Sequence, residues 1–129
     1  MSVIISGTGL FTPKESITNA ELVESYNQYA DIYNEENKNE INSGSLEPLV
    51  HSNADFIKKV SGIEKRYVLD KAGVLDPNRM RPNLEERSND QLSIQAEISI
   101  SACKEAMAEA GKTAANIDAV ICGCANLQR

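Results

Sequence analysis

The sequence is short of several things. It holds a single histidine, His51, which excludes any mechanism that needs two of them within this chain. No apolar run approaches the ~18–20 residues that a membrane-spanning helix requires. The opening residues Met1-Ser2-Val3-Ile4-Ile5-Ser6-Gly7 carry neither a basic region nor a long apolar stretch, so they do not read as a secretory signal. Positive charge is scarce as well: 13 Lys and Arg stand against 19 Asp and Glu, a net of −6. A general nucleic-acid binder needs a basic surface, so that class is excluded. The three cysteines are an odd number without an export signal, and they read as free thiols in a reducing, cytoplasmic compartment.

What is present is ordinary for a folded domain. The 129 residues are 41% hydrophobic and 25% charged, enough to bury a core and too apolar for wholesale disorder. A local basic cluster survives the acidic balance: Arg79, Arg81 and Arg87, with Lys58, Lys59, Lys65 and Arg66 upstream.

Along the chain, Val3–Gly7 is a short apolar run closed by Gly7-Thr8-Gly9, and it predicts a buried strand and a turn. Thr18-Asn19-Ala20-Glu21 is a capping box, predicting a helix from about Asn19 to Asn34 with Leu22, Tyr26, Tyr29 or Ala30, and Tyr33 on one face. Residues 34–51 are mostly polar and read as a surface insertion. Residues 53–60 predict a short helix burying Phe56, Ile57 and Val60, with Gly62 suited to follow its end. Ile63–Leu69 alternates as a strand does. Residues 70–87, with Gly73, Pro77 and Pro82, read as a second insertion without regular structure.

Ser88-Asn89-Asp90-Gln91 is a further capping box, predicting a helix that runs to Gly111 and is apolar enough to be buried on most sides. Residues 117–125 then form a near-continuous apolar run, as expected of a parallel strand covered on both faces. Strands alternating with helices argue for a layered α/β fold. The chain stops at Arg129, just past that strand, where ligand sites of open α/β sheets gather.

No complete catalytic constellation is visible. Gly7-Thr8-Gly9 lacks the third glycine and the directly following helix of a dinucleotide fingerprint, so it reads as a structural turn. Cys122 and Cys124 share a strand face, but no second ligand pair completes a metal site, and they read as buried apolar cysteines. Cys103, in mid-helix, lacks the helix N-terminus or cationic neighbour that lowers a nucleophile's pKa. His51, at the end of the polar insertion, reads as solvated. The arginines 79, 81 and 87 suit either an anionic partner or a solvated face.

Three motifs, in this order, carry a resemblance. Ser6-Gly7-Thr8-Gly9 with Pro13 and Thr18-Asn19-Ala20-Glu21-Leu22 resembles the opening of the β-ketoacyl-acyl-carrier-protein synthase III family, in the thiolase-like superfamily. Ser61-Gly62-Ile63-Glu64-Lys65-Arg66 resembles its second signature. Ala108-Glu109-Ala110-Gly111 followed by Ile117-Asp118-Ala119-Val120-Ile121 resembles its third. The resemblance covers the chain apart from the two insertions, 34–51 and about 70–87.

The resemblance implies the N-terminal part of a layered αβαβα fold, incomplete in this chain. It implies decarboxylative Claisen condensation of an acyl thioester with malonyl-acyl-carrier protein in fatty-acid or related biosynthesis, in a homodimer without cofactor or metal. The family's nucleophilic cysteine, histidine and asparagine would lie past Arg129, so the chain alone is expected to be a catalytically inactive fragment. Family residues that contact coenzyme A carry over as Ser52 for a threonine, Phe56 for a tryptophan and Val60 for an arginine. Phenylalanine still stacks, with less area, whereas Val60 cannot pair with a phosphate. That loss favours a carrier-protein donor or a longer acyl chain. The resemblance also suggests that Arg79, Arg81 and Arg87 face an acidic carrier protein. Two alternatives remain open: a non-decarboxylative Claisen enzyme of the same superfamily, and a stand-alone binding or assembly module.

Overall fold

The computed structural model describes residues 2–124. Element order is β1 (Glu15–Thr18), α1 (Asn19–Glu36), α2 (Lys38–Asn42), α3 (Ala54–Ser61), β2 (Lys65–Val68), α4 (Lys71–Leu75) and α5 (Ile94–Glu109). The chain divides into two compact units, Pro13–Leu84 and Met1–Thr12 with Glu85–Arg129. The content is mixed α/β, with one antiparallel two-stranded sheet among the described residues.

In the Pro13–Leu84 unit, β1 pairs with β2 in the register Glu15↔Val68, Ser16↔Tyr67, Ile17↔Arg66, Thr18↔Lys65. Ile17, 1% exposed, is the inward residue of that ribbon, and Ala30 of α1 is fully buried. Thr18 ends the strand and caps the helix. Its hydroxyl accepts from the Glu21 amide at 3.2 Å, and its own amide donates to the Glu21 carboxylate at 2.9 Å, closing the expected box. Asn19 then stitches α1 to the far strand. Its side-chain amide donates to the Ile63 carbonyl (2.6 Å), its side-chain oxygen accepts from Arg66 (2.8 Å), and its backbone N–H donates to the Glu64 carbonyl. The predicted short helix is present as α3, capped by Asn53 and ended by Gly62 at φ 70°, but it does not bury the expected face: Phe56 and Val60 are exposed and Ile57 is half-buried.

Two further expectations fail in this unit. Residues 70–87 are not wholly irregular, because Asp70 accepts from the Gly73 amide and so starts α4. The strand β1 was not foreseen: Glu15-Ser16-Ile17-Thr18 is short, and pairing with β2 defines it more than its own composition does.

The other unit is built on α5. Its start lies at Ser93, whose hydroxyl accepts from the Ala96 amide, and not at Ser88. Gln91 does accept from the Ser88 amide, but that turn closes without propagating. The end is as expected: Gly111 has φ 63°, its N–H donates to Ala108, and the Lys112 N–H donates to Met107, a Schellman closure.

Four further readings are corrected here. No residue of α5 is buried, so the helix is not covered on most sides. Val3–Gly7 is not a buried strand, since Val3 is 98% exposed and Ile5 87%. The run from Ile117 is not a regular strand through Cys124, and Ile121 is 97% exposed; Ala125 lies outside the described residues. A strand needs a ladder partner, and neither run has one among the described residues. Cys122 and Cys124 are accordingly exposed, and Cys103, on the uncovered helix α5, is exposed as well.

The N-terminal glycines nevertheless have a definite role. A Cβ on Gly7 would collide with the carbonyl oxygen of Ala106, and one on Gly9 with that of Ala102, so the segment lies with its backbone directly on α5. Between these contacts the Thr8 N–H donates to the Glu109 carboxylate at 2.6 Å and the Leu10 N–H to that of Glu105 at 2.8 Å. Carboxylates at i and i+4 on a helix thus meet amides at i and i+2 on an extended chain, two spacings that nearly match. Close packing on a helix, more than a turn, is what the Gly-Thr-Gly sequence supplies.

Candidate functional site

The Pro13–Leu84 unit contains an open pocket of about 590 Å³. Leu22, Val23 and Tyr26 of α1 form one side, and Phe56 and Ile57 of α3 another; Val50, His51, Ser52, Asn53 and Met80 complete it. Helical spacing accounts for the α1 contribution, because Leu22 and Tyr26 stand one turn apart on the same face.

Residues 49–52 reach this pocket as a strap laid along α1. The Asn34 side chain accepts from the Leu49 N–H (2.8 Å) and donates to the Leu49 carbonyl (2.9 Å). The Asn27 side chain treats Ser52 the same way, at 2.9 Å and 3.2 Å. Between them His51 Nε2 lies 2.8 Å from Asp31 Oδ1. Asn27, Asp31 and Asn34 recur at helical spacing, so one stripe of α1 holds three successive points of the strap. Each asparagine imitates a strand neighbour, using its carbonyl and amide together.

Met80 closes the pocket from the loop after α4. It has φ 52°, uncommon for a residue with a side chain. The Met80 N–H donates to the Asp76 carbonyl at 2.8 Å, and the Ser25 hydroxyl lies 3.2 Å from Met80 Sδ while bonding the Leu75 carbonyl. The loop is braced again at Asp70, whose carboxylate accepts from the Asn83 and Gly73 amides; those donors hold its pKa below the usual value.

The structure therefore brings Ser52 and Phe56 into one pocket, with His51 beside them. Val60 is exposed on α3 and does not line it. Arg79 and Arg81 share a loop of the same unit, where Arg79 Nε donates to the Arg81 carbonyl at 3.2 Å. Arg87 belongs to the other unit and is engaged there, donating to the Leu92 carbonyl (2.7 Å) and to the Glu97 carboxylate (3.0 Å). Sequence reasoning missed Val50, Met80 and the two asparagines. The Asn27, Asp31, Asn34 periodicity was the available signal.

Among the described residues, no group of three or more His, Cys, Asp and Glu is placed to hold a metal ion. No helix among them is long and apolar enough to cross a membrane. The strongest electrostatic feature is Glu21, whose pKa is held at about 2 by the Lys71 ammonium at 2.6 Å and by the Thr18 amide and hydroxyl.

No family model matches the chain. Over 107 residues, 83% of its length, the chain is 49% identical to a protein of Pseudomonas aeruginosa described as β-ketodecanoyl-[acyl-carrier-protein] synthase. The chain spans 31% of the length of that relative.

Proposed function

With kinship to a β-ketoacyl-acyl-carrier-protein synthase as premise, we propose that this chain supplies the opening segment of a condensing acyltransferase. The reaction is decarboxylative Claisen condensation of an acyl thioester with malonyl-acyl-carrier protein, in fatty-acid or related biosynthesis. The identity of 49% over 83% of the chain carries the reading, since such identity is far above chance for aligned sequences of this length.

Within that reading the chain contributes the substrate entrance, through Ser52 and Phe56. A thioester electrophile, a nucleophile to receive the acyl group and a group to stabilise the oxyanion are what the chemistry demands. Among the described residues, no cysteine stands in a setting suited to a nucleophile. Cys103 sits in the middle of α5, and Cys122 lies 4.0 Å from the Ser99 hydroxyl, neither of them at a helix N-terminus. The chain by itself is inactive on this proposal, and the parent protein is a cytoplasmic homodimer. Arg79 and Arg81, both exposed, are contacts for the acidic carrier protein on this proposal, and Arg87, in the other unit, is a further one that would exchange its partner Glu97.

The test is an assay of the protein encoded by the whole reading frame, in parallel with the 129-residue chain. Release of carbon dioxide from malonyl-acyl-carrier protein together with 3-oxoacyl product is expected from the former alone. Reversing the charge of Arg79, Arg81 and Arg87 should raise the KM for carrier protein and leave kcat nearly unchanged. An unchanged KM removes the docking role, and absence of condensation removes the reading itself.

A further inference from the structure

We propose that Cys103 and Cys122 form a reversible redox site, closing an internal disulfide by exchange with a small-molecule disulfide. The site lies wholly within the unit built on α5, so it is separate from the pocket between α1 and α3 and independent of the condensation reading.

Geometry carries the proposal. The run from Ile117 lies along α5 in the opposite direction to the helix. Ile117 and Ile121 line one apolar groove with Cys103 and Met107 of α5, and the next residue, Cys122, has its sulfur 4.0 Å from the Ser99 hydroxyl. Ser99 and Cys103 stand one turn apart on the same helix face, with Cβ atoms about 5–6 Å from each other. Helical side chains lean over the preceding turn, so Cys103 leans toward the Ser99 turn, where the Cys122 sulfur already sits. A disulfide needs Cβ atoms about 3.5–4.5 Å apart. The remaining approach falls to the run itself, which has no ladder partner among the described residues. Gly123 follows it with open space around its Cα.

Access and chemistry agree with this. Both thiols are exposed, so a soluble reagent reaches them. One thiolate attacks a sulfur of glutathione disulfide and expels a glutathione thiolate. The second thiolate attacks the protein sulfur of that mixed disulfide and expels the other. The protein pair loses two electrons and two protons, and the glutathione disulfide leaves as two thiols. Excess thiol runs the same steps backward. The third cysteine is placed for neither bond. Extended residues two apart stand roughly 7 Å from each other, too far for Cys122 and Cys124 to join. The direction of the run carries Cys124 past Ser99, away from Cys103. Once formed, the bond pins residues 117–122 over the groove on α5.

The test places the reduced 129-residue chain, dilute, in glutathione buffers of graded ratio, quenches with N-ethylmaleimide and maps the bonds by mass spectrometry. The expected product is a single chain lighter by about 2 Da, the two hydrogens lost, with Cys103 joined to Cys122 and Cys124 alkylated. The effective concentration of the pair, read from the glutathione ratio at half-oxidation, should reach about the millimolar range and fall by about tenfold in denaturing urea. Cys124→Ser should leave the bond as it was, and Cys103→Ser should yield glutathione adducts alone. Both positions are exposed, so the fold accepts either change. Glutathione adducts alone on the unaltered chain overturn the proposal. So do a bond to Cys124, disulfides formed only between chains, or closure that is equal in urea.

Discussion

At the scale of single residues, the two N-terminal glycines act through what they lack. Gly7 and Gly9 have no Cβ to strike the Ala106 and Ala102 carbonyls. Gly9→Ala should therefore destabilise the chain by about 1–3 kcal/mol, the usual cost of overpacking, and lower the urea midpoint. Gly123→Ala is the matching control, since nothing lies within 4 Å of a Cβ there. That substitution should leave the midpoint unmoved. Thr18 works by what it has. Thr18→Ala removes the hydroxyl that accepts from the Glu21 amide, and should cost about 1 kcal/mol in the same experiment.

At the scale of elements, the join between α1 and α4 is electrostatic and titratable. The folded pKa of Glu21 is lowered from 4.5 to about 2. A lowered acid pKa means that the unfolded chain binds the proton more readily, so the contribution to stability is present above about 4.5 and fades as pH falls toward 2. Glu21→Gln should flatten the acid limb of the stability profile across that window. An acid limb identical to that of the parent chain would place the sensitivity elsewhere. The helices were legible to different degrees. α1 and α3 follow from Thr18 and Asn53 in the sequence, and Gly62 and Gly111 mark helix ends at positive φ, because capping is local chemistry. The start of α5 was misplaced because Ser88 and Ser93 are both competent caps, and only tertiary context chooses between them. The apolar runs at residues 3–7 and 117–124 state a preference for burial, but a strand also needs a neighbour that no local pattern supplies. Ser52 and Phe56 were singled out through resemblance and line one pocket, whereas Met80 arrives there from a distant loop.

At the scale of the whole chain, apolar surface is openly displayed. Val3, Ile4, Ile5, Val120 and Ile121 are all more than three-quarters exposed. Apolar side chains gathered at this exposure promote association. Light scattering of the 129-residue chain should show particle mass rising with concentration; a constant monomer mass at high concentration would contradict the exposure described. The three exposed cysteines should all react with a thiol reagent in native buffer, without denaturant.

The contact of Thr8 with Glu109 spans 101 positions of sequence. During synthesis the N-terminal segment leaves the ribosome well before the helix it rests on is made. At roughly 5–20 residues per second, that interval is on the order of ten seconds. The Pro13–Leu84 unit closes on itself and has all its partners well before then. Its folding can therefore run during translation, while the N-terminal segment waits for α5, with the Thr8 and Leu10 amides lacking their carboxylate partners in the meantime. A released chain that ends before residue 94 should be protease-resistant across 13–84 and still cleavable at its first residues.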